Sequence, residues 1–185
     1  MEQHPRIFYE IEMKALLTKE KHAELLERLP KILKQFNDEV IYTTRYRPGD
    51  VRLRHSAKTL EIVSKEGDPT VISRREIVIP VESKGHLDHF SQVLESVGCA
   101  SDPPWTKHKQ EFTILHKGFE YVVCLQDIKN FAYIIEVEHL SETDDRDVHE
   151  PNIREIFAIL GVEPIDPKNF TERINKYIKE NKNIK

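Results

Sequence analysis

Cysteine is scarce in this chain of 185 residues, and long apolar segments are missing. The two cysteines, Cys99 and Cys124, provide neither a disulfide framework nor the ligand spacing of a cysteine-based metal site. No apolar run approaches the length of about 20 residues that a membrane-spanning helix needs, and no signal-peptide pattern opens the chain. We therefore expect a cytoplasmic protein without a membrane partner.

Neither sign of charge dominates the sequence. It contains 28 Lys and Arg against 32 Asp and Glu, a net charge of −4, so no general basic surface for nucleic acid is expected. Charged residues nevertheless make up 32% of the chain, above the average of about 25%. A closed barrel with an ionic interior would account for this surplus. The length predicts one domain over residues 1–185.

The clearest pattern lies near the N-terminus, where residues 8–17 alternate in polarity. Apolar side chains occupy the odd positions from 9 to 15, whereas Glu10, Glu12 and Lys14 occupy even positions. Alternation with a period of two predicts a β-strand with one apolar and one charged face. Considered alone, such a strand is typical of a solvated sheet edge.

The same pattern recurs near the other end of the chain, where Glu136 and Glu138 share one parity between β-branched residues. The strands predicted between these two acidic segments carry Arg or Lys on one parity. One charged face indicates a surface, but matching charged faces on many strands indicate a charged lumen.

Hydrophobic periodicity and turn residues predict eight antiparallel strands, enough to close a barrel with a small interior. Thr18 is the expected N-cap of a first helix that continues to Phe36 with a kink at Pro30. Residues 141–151 are expected to form a loop, and Trp105 a core anchor. The predicted strands are 7–17, 38–47, 51–54, 59–65, 70–81, 105–115, 119–125 and 133–140. The remaining predicted helices are 83–97, 153–160 and one that begins after Asp166 or at Asn169.

The charged positions follow an order that identifies a family. The sequence reads Glu10-x-Glu12-x-Lys14, then Arg52 and Arg54, Lys65, Arg74 and Glu76, Lys107 and Lys109, and finally Glu136-x-Glu138. In this order they resemble the motifs of the CYTH family, also called triphosphate tunnel metalloenzymes. That family includes class IV adenylyl cyclases, thiamine triphosphatases and inorganic tripolyphosphatases.

The resemblance implies an α+β fold in which a closed antiparallel eight-stranded β-barrel, the triphosphate tunnel, has helices packed outside it. It implies divalent-metal-dependent hydrolysis of a small-molecule triphosphate, either inorganic tripolyphosphate or an organic triphosphate, by a monomer or homodimer. The phosphate-binding residues would be Lys14, Arg52, Arg54, Lys65, Arg74, Lys107 and Lys109. Mg²⁺ or Mn²⁺ would be held by Glu10, Glu12, Glu136 and Glu138, with Glu76 and Asp127 as additional candidates. The catalytic residues would be Glu10, Glu12, Lys14 and Lys65.

The residue types suit this chemistry on independent physical grounds. A triphosphate carries about four negative charges, and Arg and Lys on several strands can surround it with charge-assisted hydrogen bonds. Carboxylates would repel the same anion unless a hard divalent cation bridged them to phosphate oxygens. Acidic and basic strands around one lumen are therefore what a metal–polyphosphate site requires.

The sequence also departs from the family pattern. Residues 43–46, Thr-Thr-Arg-Tyr, lack the usual second-strand Asp, and Val78 replaces the last Glu of R-x-E-x-E. Gln126 stands where an Asp is usual, and Asp127 could replace it only through a one-residue slip. Lys109 stands where the family has Arg. Two alternatives stay open: an adenylyl cyclase that converts ATP to cyclic AMP and pyrophosphate, and a non-catalytic module that binds polyphosphate or a nucleotide.

Overall fold

The computed structural model describes residues 4–181, which form nine strands and four helices. The strands are β1 (Arg6–Leu17), β2 (Lys34–Arg47), β3 (Val51–His55), β4 (Leu60–Lys65), β5 (Ser73–Pro80), β6 (Ala100–Ser101), β7 (Trp105–His116), β8 (Phe119–Ile128) and β9 (Ala132–Ser141). The helices are α1 (Lys19–Ile32), α2 (Lys84–Ser96), α3 (Arg146–Leu160) and α4 (Pro167–Asn181). None of these helices is both long and apolar enough to cross a membrane.

Eight of the nine strands close into a ring. The antiparallel sheet has the order β3-β4-β5-β1-β9-β8-β7-β2-β6, and β3 also pairs with β2, which joins the two ends. Only the two-residue strand β6 lies outside the ring, paired with the end of β2. The predicted α+β fold with a closed sheet of eight antiparallel strands is confirmed. Strands β1 and β2 lie opposite each other, four strands apart in either direction.

The larger of two apolar clusters lies between the outside of the ring and two of the helices, and a smaller one packs Leu87 and Leu94 of α2 against β2, β3 and β4. Strands β1 and β9 turn their apolar parity outward, so that Ile11, Ile135 and Val137 are fully buried against α1 and α3. Side chains from both helices complete this core, among them Leu25, Leu29, Ile153, Ile156, Phe157 and Leu160. Because successive strand residues point to opposite faces, the charged residues of β1 and β9 point into the ring.

The first helix is shorter than predicted. Thr18 is its N-cap, as expected, and its Oγ1 accepts a hydrogen bond from the Lys21 amide at 3.1 Å. However, α1 ends at Ile32, and Phe36 belongs to β2 and is exposed. The backbone of this segment pairs with β7 from Lys34 onward, and these strand hydrogen bonds override the helical spacing of the apolar residues.

The predicted loop at 141–151 is wrong in its second half, because α3 already begins at Arg146 and includes Pro151. Polar contacts hold the early part of this helix against the sheet. The buried Tyr121 hydroxyl lies 2.9 Å from His149 Nδ1 and accepts a hydrogen bond from Asn152 Nδ2 at 2.9 Å. These tertiary contacts maintain the helix despite the proline.

The last helix, α4, begins at Pro167, which confirms the first of the two predicted starts. Asp166 caps it, since its carboxylate accepts hydrogen bonds from the amides of Lys168 and Asn169 at 3.0 and 3.1 Å. The amide of Ile165 donates to the carbonyl of Lys14 at 2.7 Å. The chain therefore enters α4 directly beside the charged segment of β1.

Candidate functional site

A cavity inside the ring collects the charged residues that the sequence singles out. All eight ring strands contribute to its wall. Eleven predicted site residues line it: Glu10, Glu12, Lys14, Arg52, Arg54, Lys65, Arg74, Lys107, Lys109, Glu136 and Glu138. A twelfth, Glu76, is buried behind this wall against Lys65. Period-two alternation on separate strands therefore produces one charged interior.

Three carboxylates converge on one side of the cavity. Oxygen atoms of Glu10, Glu12 and Glu138 all lie within 4.8 Å of one another. Burial, together with Glu12, raises the pKa of Glu10 to about 8. Burial, together with Glu136 and Glu12, raises the pKa of Glu138 although Lys109 opposes the change. Within residues 4–181, Glu138 has no hydrogen-bond or salt-bridge partner, so its charge is the least compensated of the three.

This donor set fits a hard divalent cation. Mg²⁺ and Mn²⁺ prefer carboxylate and other oxygen ligands, and the three carboxylates supply them at close range. Glu12 is already ionised: burial opposes ionisation, but the Lys14 and Lys65 ammonium groups hold its pKa well below the usual range. A cation would oppose the burial and the repulsion that together raise the pKa of Glu10 and Glu138.

Glu136, the fourth predicted metal ligand, stands apart from this set. Gln126 donates a hydrogen bond to its Oε2, and Lys14 Nζ lies 3.5 Å from its Oε1. The three-carboxylate cluster within 4.8 Å does not contain it. Glu136 therefore lies on the same cavity wall but is engaged by neighbouring side chains.

Asp127, the additional candidate, does not reach the cavity. Strands β8 and β9 pair in continuous register, with Gln126 opposite Ile134 and Asp127 opposite Tyr133. Gln126 lines the cavity, so Asp127 points to the other face, where its charge acts on His22 of α1. The one-residue slip does not occur, and the expectation that Asp127 is a metal ligand is wrong.

Lys65 connects the acidic side to the rest of the cavity. Its ammonium donates to Glu10, lies 2.9 Å from Glu76 Oε2 and 3.9 Å from Glu12 Oε1. Burial alone would lower the pKa of Lys65, but these carboxylates raise it. Lys65 is consequently a permanent cation. Glu76 is held between Lys65 and Arg54, and its pKa falls to about 2 although burial opposes this shift.

Asp50 is a site residue that sequence reasoning missed. Its carboxylate accepts two hydrogen bonds from Arg52, at 2.8 and 2.9 Å, and one from Arg74 at 2.8 Å. Despite burial, these guanidinium groups hold the pKa of Asp50 far below its usual range. The signal in the sequence was an acid at the last position of the turn at 48–50, two residues before the first arginine of β3. Asp50 orients two of the predicted phosphate-binding arginines.

Lys107 and Lys109 face the cavity from β7 but differ in their partners. Lys109 Nζ lies 2.6 Å from Glu111 Oε1, a second acid that the sequence did not single out. Lys107 has no salt bridge or hydrogen bond from its side chain to any other described residue. Burial and then the Lys109 ammonium lower the pKa of Lys107 to about 8. Lys107 is therefore a half-buried ammonium group that forms no salt bridge with any residue in the described part of the chain.

One end of the cavity is lined mainly by apolar and aromatic side chains. There α4 contributes Phe170, Ile174, Tyr177 and Ile178, next to Trp105, Ile128 and Phe131. Trp105 lies in the cavity wall, so its prediction as a core anchor is wrong. Side chains of α4 make three hydrogen bonds to the rest of the protein: Asn175 Oδ1 accepts from Arg47 of β2 at 3.1 Å, and Tyr177 and Thr171 donate to the carbonyls of Lys129 and Pro69 at 3.3 and 3.1 Å. The site thus has a charged interior and an apolar end beside α4, which we call the mouth.

The sequence matches no protein-family model and no curated protein. Solved structures do match. The PH1819 protein from Pyrococcus horikoshii OT3 superposes with a TM-score of 0.72 at 18% identity, over 91% of this chain and 99% of that chain. A "putative adenylate cyclase" from Bacillus halodurans gives 0.59 at 14% identity, over 88% and 94%. HpAC1 from Hippeastrum, described as having a dominant triphosphatase activity, gives 0.58 at 10% identity, over 86% and 90%.

These likenesses extend over most of both chains in each pair. At such low sequence identity they show a shared fold. That fold agrees with the one that the order of charged motifs predicts.

Proposed function

We propose that this chain, which has the fold of the CYTH family of triphosphate tunnel metalloenzymes, hydrolyses an organic triphosphate with the help of Mg²⁺ or Mn²⁺. The observation that carries the proposal is a pair of side chains of opposite charge in one cavity, neither of which is held in a salt bridge with another described residue. Lys107 is a cation and Glu138 a carboxylate, and neither has an ionic partner among residues 4–181. A buried charge without a partner is costly, and a metal-bound triphosphate would supply partners to both.

The basic residues are arranged to surround a polyanion. Lysines and arginines from six strands line the cavity: Lys14, Arg45, Arg47, Arg52, Arg54, Lys65, Arg74, Lys107 and Lys109. Asp50 orients Arg52 and Arg74 by hydrogen bonds, and Glu61 accepts from Arg54 at 3.2 Å. Guanidinium groups fixed in this way bind phosphate oxygens with charge-assisted hydrogen bonds.

Glu10, Glu12 and Glu138 would hold the cation. When bound, Mg²⁺ or Mn²⁺ supplies Lewis-acid stabilisation of the negative charge that develops on phosphate oxygens. Lys65 keeps Glu10 in place, and Lys14 pairs with Glu12. Hydrolysis of a phosphoanhydride depends mainly on positioning and electrostatic stabilisation, and these residues supply both functions.

The apolar mouth favours an organic substrate over inorganic tripolyphosphate. Tripolyphosphate would use only the charged interior, leaving Trp105, Phe131 and Tyr177 without a ligand contact. Aromatic side chains pack well against planar organic groups. A triphosphate whose organic group lies at the mouth, beneath α4, would use both parts of the cavity.

One observation favours a second candidate, a binding module without turnover. Gln126 occupies the wall position beside Glu136 and donates a hydrogen bond to it. This contact removes one carboxylate from the set available to a metal. An adenylyl cyclase remains a separate alternative, distinguished by its product.

A metal-by-substrate screen tests the proposal. ATP, thiamine triphosphate and tripolyphosphate are each incubated with Mg²⁺ or Mn²⁺, and phosphate, pyrophosphate and cyclic AMP are measured. We expect metal-dependent phosphate release, fastest from an organic triphosphate. Glu138→Gln should reduce the rate at least about tenfold, whereas Glu120→Gln, an exposed acid of β8, should not change it.

Other outcomes separate the candidates. Cyclic AMP and pyrophosphate from ATP would establish the cyclase. Tight binding of ATP or tripolyphosphate without any product would establish the binding module. Faster hydrolysis of tripolyphosphate than of both organic substrates would contradict the role given to the mouth.

A further inference from the structure

Two polar groups on β2 face the cavity without a hydrogen-bond partner. Thr43 Oγ1 and Arg45 Nη2 are both buried, and neither bonds to any atom within residues 4–181. Both residues line the cavity, and Thr43 is only 2% exposed. Buried polar groups in proteins are nearly always satisfied, so two unsatisfied ones in a cavity wall indicate a missing ligand.

The guanidinium of Arg45 is held in place from one side. Its Nε donates to Asp102 Oδ2 at 2.7 Å, and the Asp102 amide donates back to the Arg45 carbonyl at 2.8 Å. Asp102 itself is 4% exposed and also accepts from Arg47 Nε at 3.0 Å. Because Asp102 fixes one edge of the guanidinium, the nitrogen without a partner is preorganised to bind an anion.

Strand pairing gives these residues a specific place. Thr43 lies opposite Arg54 on one side and Trp105 on the other, and Arg45 lies opposite Arg52. Strand β2 is also diametrically opposite β1, which carries Glu10 and two further charged site residues. The β2 pair thus extends the basic wall away from the carboxylates and toward the apolar mouth.

We propose that Thr43 and Arg45 bind the phosphate nearest the mouth, the one that carries the organic group. This inference rests on the proposed function. It also gives the departure from the family pattern a role: the segment 43–46 lacks an acid, and in its place a hydroxyl and a guanidinium face the cavity. The wall opposite β1 would therefore bind phosphate and determine substrate affinity.

Calorimetric titration with ATP and tripolyphosphate, in metal-free buffer, tests this assignment. Loss of a charge-assisted hydrogen bond should raise the Kd of Arg45→Gln about 10- to 100-fold, and Thr43→Val should raise it about 2- to 10-fold. Thr44→Val, on the opposite face of β2, and Arg75→Gln, a half-exposed arginine paired with Glu66, are matched controls and should stay within about twofold of wild type.

Steady-state kinetics test which phosphate of the substrate Thr43 and Arg45 contact. The phosphate nearest the mouth is not the one transferred to water, so both variants should raise KM for ATP while kcat stays within about threefold. A fall in kcat at unchanged KM would overturn this placement. Melting temperatures check folding, and Arg45→Lys, which keeps a charge beside Asp102, provides a second variant with an intermediate Kd if Arg45→Gln does not fold.

The outcomes distinguish a failure of the proposed function from a failure of the assignment of Thr43 and Arg45. If wild type neither binds nor hydrolyses ATP, thiamine triphosphate or tripolyphosphate, with or without Mg²⁺ or Mn²⁺, the proposed function fails and this inference fails with it. If wild type binds both probes and the Thr43 and Arg45 variants bind them equally well, only the inference is overturned.

Discussion

The protein has two interiors that share the same strands but differ in chemistry. Along β9, Ile135 and Val137 are completely buried in the apolar core beneath α1 and α3, whereas Glu136 and Glu138 point into the cavity. The apolar core needs no ligand, because each of its side chains packs against other apolar side chains. The cavity differs, because Lys107 and Glu138 form no salt bridge there with any residue between 4 and 181. We therefore expect stability to come mainly from the outer core, whereas the cavity residues serve the proposed binding of a ligand.

Truncation of a side chain in the outer core should cause the largest loss of stability. Ile135→Ala removes a fully buried side chain and should lower the free energy of unfolding by about 2–5 kcal/mol. Urea denaturation measures this loss. Glu136→Gln, its neighbour on the cavity side, should change the free energy of unfolding far less, and equal losses in the two variants would contradict the division between core and cavity.

Substitution of Lys107 should weaken ligand binding without lowering the stability of the unliganded protein. Lys107→Met removes a half-buried cation that has no salt bridge within residues 4–181, so the unliganded protein should keep or gain stability. Tripolyphosphate binding should weaken about 10- to 100-fold, as expected when a charge-assisted contact is lost. Thermal denaturation and calorimetry measure both quantities, with the exposed Lys31→Met as control. A destabilised variant with unchanged affinity would assign Lys107 to structure and not to binding.

The smallest effect is a dependence of metal-free stability on pH. The pKa of Glu10 is raised to about 8, so its contribution to stability is lost as pH rises from its ordinary value through 8. The pKa of Lys107 is lowered to about 8, so the penalty of its charge is relieved above pH 8. Lys107→Met should lack the relief between pH 8 and 9, and Glu10→Gln should lack part of the decline below pH 8. If the melting temperature depended on pH in the same way for wild type and both variants, these assignments would be wrong.

The sequence predicted the fold and most of the cavity wall because both depend on alternation within single strands. The parity of Glu10, Glu12 and Lys14 defines the face of β1 directly. The register between strands could not be predicted in this way. The sequence pattern alone left open whether Gln126 or Asp127 faces the cavity, and only the pairing of β8 with β9 decides this. The same limitation applied to Phe36, whose helical spacing was overridden by pairing with β7.

Residues that act through tertiary contacts were missed. Asp50 ends a turn and belongs to no motif. It matters because Arg52 and Arg74, from different strands, both donate hydrogen bonds to its carboxylate. Asp102 lies outside every predicted strand and helix, and only the fold brings it beside Arg45. The apolar mouth likewise depends on how α4 lies against the ring, which hydrophobic periodicity does not specify.

The most direct test of the central claim is the melting temperature of wild type and of a Glu12→Gln/Glu138→Gln double variant, with and without Mg²⁺ and tripolyphosphate. Binding to the native state raises the melting temperature by mass action. We predict that Mg²⁺ stabilises wild type, and more so with tripolyphosphate present. The double variant should lose the metal-dependent increment but keep, or even strengthen, the response to tripolyphosphate alone. If the double variant retains the full metal-induced increment, the three converging carboxylates are not the metal site and the account is wrong.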